Sequence, residues 1–89
     1  MFAVIHAEAM ELDHSRPLWR QIAAELIRRI KDGTYPPGSR VPSTLAIAQE
    51  FGVVNATAAK AMRHLREEGW TRGEVGLGTF VMDPLPRAE

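Results

Sequence analysis

Apolar residues recur at four-residue spacing from Leu18 through Ile22 and Leu26 to Ile30, and Trp19, Ala23 and Ile27 widen that stripe. Arg20, Glu25, Arg28 and Lys31 supply its polar flank. The period predicts a first helix that opens after Pro17, which has no N–H to leave unpaired, and stops at Asp32-Gly33. Thr34-Tyr35-Pro36-Pro37-Gly38-Ser39 then reads as a tight turn leading into an extended Arg40-Val41. Ser43 is a good N-cap for a short second helix, Thr44 to Phe51, with Ile47, Ala48 and Phe51 on its inner side and Gly52 closing it. Val53-Val54 lead to Asn55, the N-cap candidate of a third helix from about Ala56 to Glu68. Its core stripe is Ala58, Ala61, Met62 and Leu65, and Gly69 stops it.

Beyond Gly69 the period changes. Trp70-Thr71-Arg72 and Thr79-Phe80-Val81 read as strands joined by the glycine-rich stretch Gly73 to Gly78, a hairpin. Asp83 to Glu89 carry two prolines and no apolar period, which predicts a frayed tail at 83–89. The pattern is therefore mainly α with a small β-hairpin: three helices plus a wing, or a winged helix-turn-helix, over 15–82. The helix-turn-helix occupies about 43–62 and the wing about 70–81. Residues 1–14 form an N-terminal arm, extended or disordered.

Length and composition narrow what such a chain can do. Its 89 residues fill one domain, and 45% hydrophobic residues build one modest core with no room for a deep substrate chamber. No enzyme is expected, since no nucleophile and base are arranged together. Without cysteine there is no disulfide framework or thiolate, and reduced cytoplasm is the natural setting. Met1 to Ala9 lacks the basic start of a signal peptide, and no apolar run approaches membrane-spanning length. His6, His14 and His64 lack ligand spacing, so neither a metal nor another cofactor is expected.

Eleven Lys and Arg balance eleven Asp and Glu, so net charge makes no case for a polyanionic partner. Local placement does. From Gly52 to Arg66 there is no acidic residue, and counting 100° per residue puts Ala56, Lys60 and Arg63 opposite the core stripe of helix three. Thr57, Ala59 and His64 lie at the margins of that outer face. An α-helix enters the DNA major groove only if its leading outward residues are short or polar, and the phosphates beside it need cations. Asn55 is suited to an adenine edge, Thr57 to a base or phosphate, and Leu45, about 110° from the helix-two core, to a thymine methyl. Arg40, Lys60, Arg63 and Arg72 are phosphate candidates, while Gly76 and Gly78 let the wing backbone approach the duplex. Ser43 has two compatible roles: it caps helix two, and the helix N-terminus it shares with Thr44 can receive a phosphate. Ala46 stands where a capping box would have Glu. Trp19, Trp70 and Phe80 read as packing residues, and Glu67, Glu68 and Glu74 as solvated ends of elements. Taken alone, the basic face of helix three would read as a solvated surface.

Longer motifs decide between these readings. Leu18-Trp19-Arg20-Gln21-Ile22-Ala23, Gly33 to Ser43, Phe51-Gly52-Val53, Ala61 to Gly69 and Gly76-Leu77-Gly78-Thr79-Phe80-Val81 resemble, in order and spacing, the N-terminal winged-helix domain of the GntR family of bacterial transcription regulators. The Ala59-Lys60-Ala61 triplet leans toward its YtrA-like branch. The resemblance implies a double-stranded DNA partner, a repressor more than an activator, and a homodimer on a palindromic operator, joined through Phe2-Ala3-Val4-Ile5 or helix one. Only 82–89 follow the wing, so no small-molecule effector domain is expected. Four positions where the family often carries Arg hold Leu45, Asn55, Ala59 and Leu77, which implies weak binding by one domain. It also leaves a second reading, a winged-helix module that binds protein with little DNA affinity.

Overall fold

The computed structural model describes residues 11–86, a three-helix body with a hairpin. The Phe2–Ile5 segment suggested for dimerisation lies outside these residues. The elements are α1, Leu18–Lys31; α2, Thr44–Phe51; α3, Asn55–Glu67; β1, Thr71–Glu74; and β2, Gly78–Val81. The core gathers Ile22, Leu26 and Ile30 from α1, Ile47 and Ala48 from α2, Ala58, Ala61, Met62 and Leu65 from α3, with Val41 and Val81. Each large aliphatic side chain sealed there contributes about 1.5–3 kcal/mol by leaving water. Among the described residues no helix is long and apolar enough to cross a membrane.

Local chemistry sets the helix boundaries. Ser43 caps α2 as expected, its Oγ accepting a hydrogen bond from the Ala46 N–H at 3.1 Å. Gly52 ends α2 in the left-handed conformation, φ +69°, where its N–H and that of Val53 both donate to the Ala48 carbonyl. The cap of α3 differs from the sequence expectation. Val54, not Asn55, occupies the N-cap in extended conformation; its carbonyl accepts from the Thr57 and Ala58 N–H groups and no side chain caps the helix. Val53 packs against the core, so Val54 alone bridges into the helix and Asn55 becomes its first residue. At the other end α3 stops at Glu67, with Glu68 as its cap.

The wing is longer in ladder and shorter in loop than the glycine count suggested. Thr71 pairs with Val81, Arg72 with Phe80, Gly73 with Thr79 and Glu74 with Gly78. Glycine keeps both backbone hydrogen-bonding groups, so Gly73 stays in the ladder, and only Val75-Gly76-Leu77 turn. The Leu77 N–H closes that turn on the Glu74 carbonyl at 2.9 Å. Trp70 lies outside β1, although its carbonyl accepts from the Met82 N–H. Residues 38–41 lie along the other edge of β2: the Gly38 N–H donates to Val81, the Val81 N–H to Ser39 and the Val41 N–H to Thr79, with Arg40 bridging Phe80. Hydrogen bonds from the chain before α2 therefore hold the wing to the body.

Two flanking segments are tied down. Gln21 accepts from the Asp13 N–H and donates to its carbonyl, each at 2.8 Å, while Leu12 packs against the core. That docks 11–14, the described part of the arm, on the start of α1. Leu85, between Pro84 and Pro86 in the tail, likewise packs against the core.

Arg29 straps α1 to α2. Its guanidinium donates to Glu25, Glu50 and the Tyr35 hydroxyl and lies 5.5 Å from the Phe51 ring centroid. Hydrogen bonding from Arg28, reinforced by Arg29, holds the Glu25 carboxyl below its ordinary range although partial burial pushes the other way. The Thr34 hydroxyl and N–H do the same for Asp32.

Two outcomes follow. Gly52→Val forces a β-branched residue to positive φ and should cost about 1–2 kcal/mol, read as a lower denaturation midpoint with unchanged m. Because the folded Glu25 pKa is depressed, its stabilisation is complete above the unfolded value near 4.5 and is lost as pH falls through the folded value. Stability should therefore decline below about pH 5, and Glu25→Gln should flatten that decline in melting curves.

Candidate nucleic-acid interface

The inner stripe of α3 is buried completely, which leaves its opposite face outward. Ala56, Lys60 and Arg63 are exposed there; Asn55 and Arg66, nearer the core stripe by the same count, are exposed as well, Thr57 and Ala59 are half-buried, and no acidic side chain interrupts the helix before Glu67. The first turn of this face is short and uncharged; its later turns are cationic. Such a cylinder can enter a groove about 12 Å wide and meet phosphates along its sides.

The cations differ in their surroundings. Arg63 is exposed and has no ion-pair partner among the described residues. Lys60 is also free of acidic partners, but its ammonium stands 5.0 Å from the Trp19 ring centroid, and the Arg20 guanidinium stands 5.1 Å from the same ring. His64 meets that indole edge-on at 5.2 Å. Trp19 thus holds cations of α1 and α3 in one neighbourhood, beside an open cleft of about 170 Å³ lined by Arg20, Ala23, Ala24, Ile27 and His64. The sequence reading placed Trp19 with packing and Arg20 on a polar flank. It missed this cluster, for which the only signal was an aromatic at the margin of the α1 stripe.

Arg40 and the wing come together. The Arg40 side chain lies over Gly78, so near that a Cβ there would stand 2.7 Å from Nε. Arg72 is a weaker candidate than its charge suggested. It is ion-paired with Glu74, two residues along the same face of β1, and lies 5.3 Å from the Phe80 ring centroid. The pair is exposed and contributes little to stability, yet it cancels the wing's single positive charge. Ser43 and Thr44 stand at the start of α2, the serine hydroxyl accepting from its own helix and Thr44 half-buried.

Apolar groups are exposed on the same elements. Leu45 is 55% accessible and Val54 69%, while Leu77 is 63% accessible and Val75 fully so. Gly76 sits between the last two in open space. Val54 was not singled out from the sequence, because its place as cap emerges only once Val53 is seen packed.

Gly78→Ala should test the Arg40 contact. With φ +125° at that residue, the substitution should cost about 1–3 kcal/mol, and its methyl should displace the guanidinium, read as a shifted Arg40 Nε–H signal in NMR spectra.

The chain is similar in sequence and fold to known proteins. The profile described as "Bacterial regulatory proteins, gntR family" matches residues 18–81. A histidine utilization repressor of Pseudomonas putida is 35% identical over 72 residues, covering 81% of this chain and 29% of the relative. The chain spans about three-tenths of the length of the curated relatives it matches. Among solved structures, AraR(DBD) in complex with operator ORX1 superposes with a TM-score of 0.70 at 30% identity, over 91% of this chain and 92% of that one. YtrA from Sulfolobus acidocaldarius, a GntR-family transcription factor, superposes with a TM-score of 0.74 at 29% identity, over 83% and 80%.

Proposed function

The chain belongs to the GntR family of bacterial regulatory proteins, and from that premise we propose that it binds double-stranded DNA sequence-specifically and acts as a transcriptional repressor. The observation that carries the reading is the outer face of α3, short at its leading end, cationic behind and free of acid as far as Glu67. Asn55 and Thr57 read base edges, and Ala56 permits close approach to the groove floor. Leu45 offers a thymine methyl contact, and Ser43 and Thr44 present the α2 N-terminus to a phosphate. Arg40, Lys60 and Arg63 bind phosphates; Arg72, shared with Glu74, adds less. Lys60 is presented by the face of Trp19, which holds its flexible stem and lowers the entropy lost on contact.

Few free cations imply modest affinity for one copy. Two copies on a palindromic operator, joined through α1 or the segment before it, multiply weak half-site contacts through effective concentration. The repressor relative, 35% identical over 72 residues, and the operator-bound AraR(DBD) support repression by occupancy, which needs no further contact with polymerase. A protein-binding module with little DNA affinity is the less favoured reading.

Fluorescence anisotropy with duplexes from upstream of the protein's own gene tests this. Affinity should fall steeply with salt, and Lys60→Ala or Arg63→Ala should weaken all duplexes alike while reducing the log-log salt slope by about one. Asn55→Ala should instead change the ranking among duplexes. Salt-independent or absent duplex binding would overturn the proposal.

A further inference from the structure

The cleft between α1 and α3 combines an apolar lining with charge that the fold itself leaves unpaired. Short side chains at Ala23 and Ala24, between the bulkier Trp19 and Ile27, open it. Ala23 is buried, Ile27 half-buried and Ala24 exposed at the rim, and the Trp19 and His64 rings, edge to face at 5.2 Å, make an aromatic wall. Its volume of about 170 Å³ suits one small ring with a short substituent, since a cavity of about 150 Å³ holds benzene. Two cations stand beside it. The Arg20 guanidinium and the Lys60 ammonium lie 5.1 and 5.0 Å from the centroid of the same Trp19 ring, and neither has an ion-pair partner among the described residues. Arg28 and Arg29, on the same helix as Arg20, are by contrast matched by Glu25, Asp32 and Glu50. Two like charges held on one indole repel each other, and the ring's negative face offsets part of that cost; an anion in the cleft relieves the rest.

We propose that this cleft binds a small aromatic carboxylate, its ring against Trp19, His64 and Ile27 and its carboxylate between Arg20 and Lys60, and that the ligand weakens the chain's hold on DNA. The site stands on the cleft itself; its consequence for DNA rests on the reading of Lys60 above as a phosphate contact. A flat apolar body is favoured because rings and methyl groups line the recess and ask for no hydrogen bond. A negative head is favoured because the charges beside that lining are both positive. A phosphate of the duplex would satisfy the cations and leave the apolar lining unused. A segment of another protein fits less well, since a recess for one ring supplies a small part of the ~1,000 Å² that a stable protein interface needs. The coupling follows from Lys60, whose ammonium cannot serve a ligand carboxylate and a DNA phosphate together. By linkage the duplex weakens the carboxylate by the same factor as the carboxylate weakens the duplex.

The experiment uses the whole chain, with phenylacetate as probe and phenylacetamide, of the same shape without the charge, as control at matched ionic strength. Without DNA, phenylacetate should move the NMR signals of the Trp19 indole N–H and the Ala24 and Ile27 methyl groups, with a midpoint on the order of 1 mM. The Trp70 indole signal should stay in place, and phenylacetamide should bind about tenfold more weakly. Ala24→Glu sets a carboxylate at the exposed rim, four residues from Arg20, and should abolish the shifts with an unaltered melting temperature. In fluorescence anisotropy, saturating phenylacetate should weaken duplex binding about tenfold and reduce the log-log salt slope by about one, and Ala24→Glu should show neither change. Equal shifts from the two compounds, or none at these three residues, would overturn the site. Self-association in sedimentation that Ala24→Glu abolishes, without any response to phenylacetate, would overturn it too and assign the cleft to contact between copies. The expected shifts with unchanged duplex affinity would overturn the coupling alone. Failure of the wild-type chain to bind any duplex, with the shifts as expected, would remove the DNA-binding reading and the coupling with it while the carboxylate site stands.

Discussion

Close packing of α3 through Ala58 and Ala61 governs the rest of the architecture. Both are completely buried, and their short side chains let the helix lie against α1 and α2 while Met62 and Leu65 fill the space beside them. A helix has one azimuth to spend: once this stripe is sealed, Ala56, Lys60 and Arg63 must point away from the body. Larger residues at 58 or 61 would push the helix off its seat and turn the outer face with it. The same constraint explains the two ends of the helix. Val53 is drawn into the core just before it, so Val54 serves as cap and Asn55 starts the first turn outward.

A second constraint is the separation of charge within a neutral chain. Arg28 and Arg29 of α1 are consumed by Glu25, Asp32 and Glu50, which hold the helices to each other and to the turn after α1. The paired cations of α1 therefore help hold the molecule together, while Lys60, Arg63 and Arg40 carry charge with no acidic partner among the described residues. Pairing of Arg72 with Glu74 draws the line between them at the wing, whose tip is apolar. The exposed surface is accordingly graded, from cationic on α3, through Arg40, to aliphatic at Leu77.

The helices, their order and the core were legible in the sequence because burial imposes its period directly. Leu18 to Ile30 and Ala58 to Leu65 repeat at helical spacing, and Ser43 and Gly52 punctuate α2 by local chemistry that needs no distant partner. The outer face of α3 followed from the same count. Motif order supplied the family, since turn glycines, the paired prolines and the wing residues have to occur together for this topology.

What the tertiary structure alone decided is which partner each long or aromatic side chain takes and how far backbone pairing runs. Arg72 was a free cation by sequence and is a paired one in space. Trp19 was a packing residue and also gathers Arg20, Lys60 and His64. The hairpin loop shrank to Val75-Gly76-Leu77 because backbone pairing, blind to the missing side chain of Gly73, ran on to Glu74. Leu85 settled on the body although nothing periodic announced it. Periodicity records which side of an element faces inward. It carries no record of which neighbour a long polar or aromatic side chain will find, since that depends on the distance between elements, and packing sets that distance.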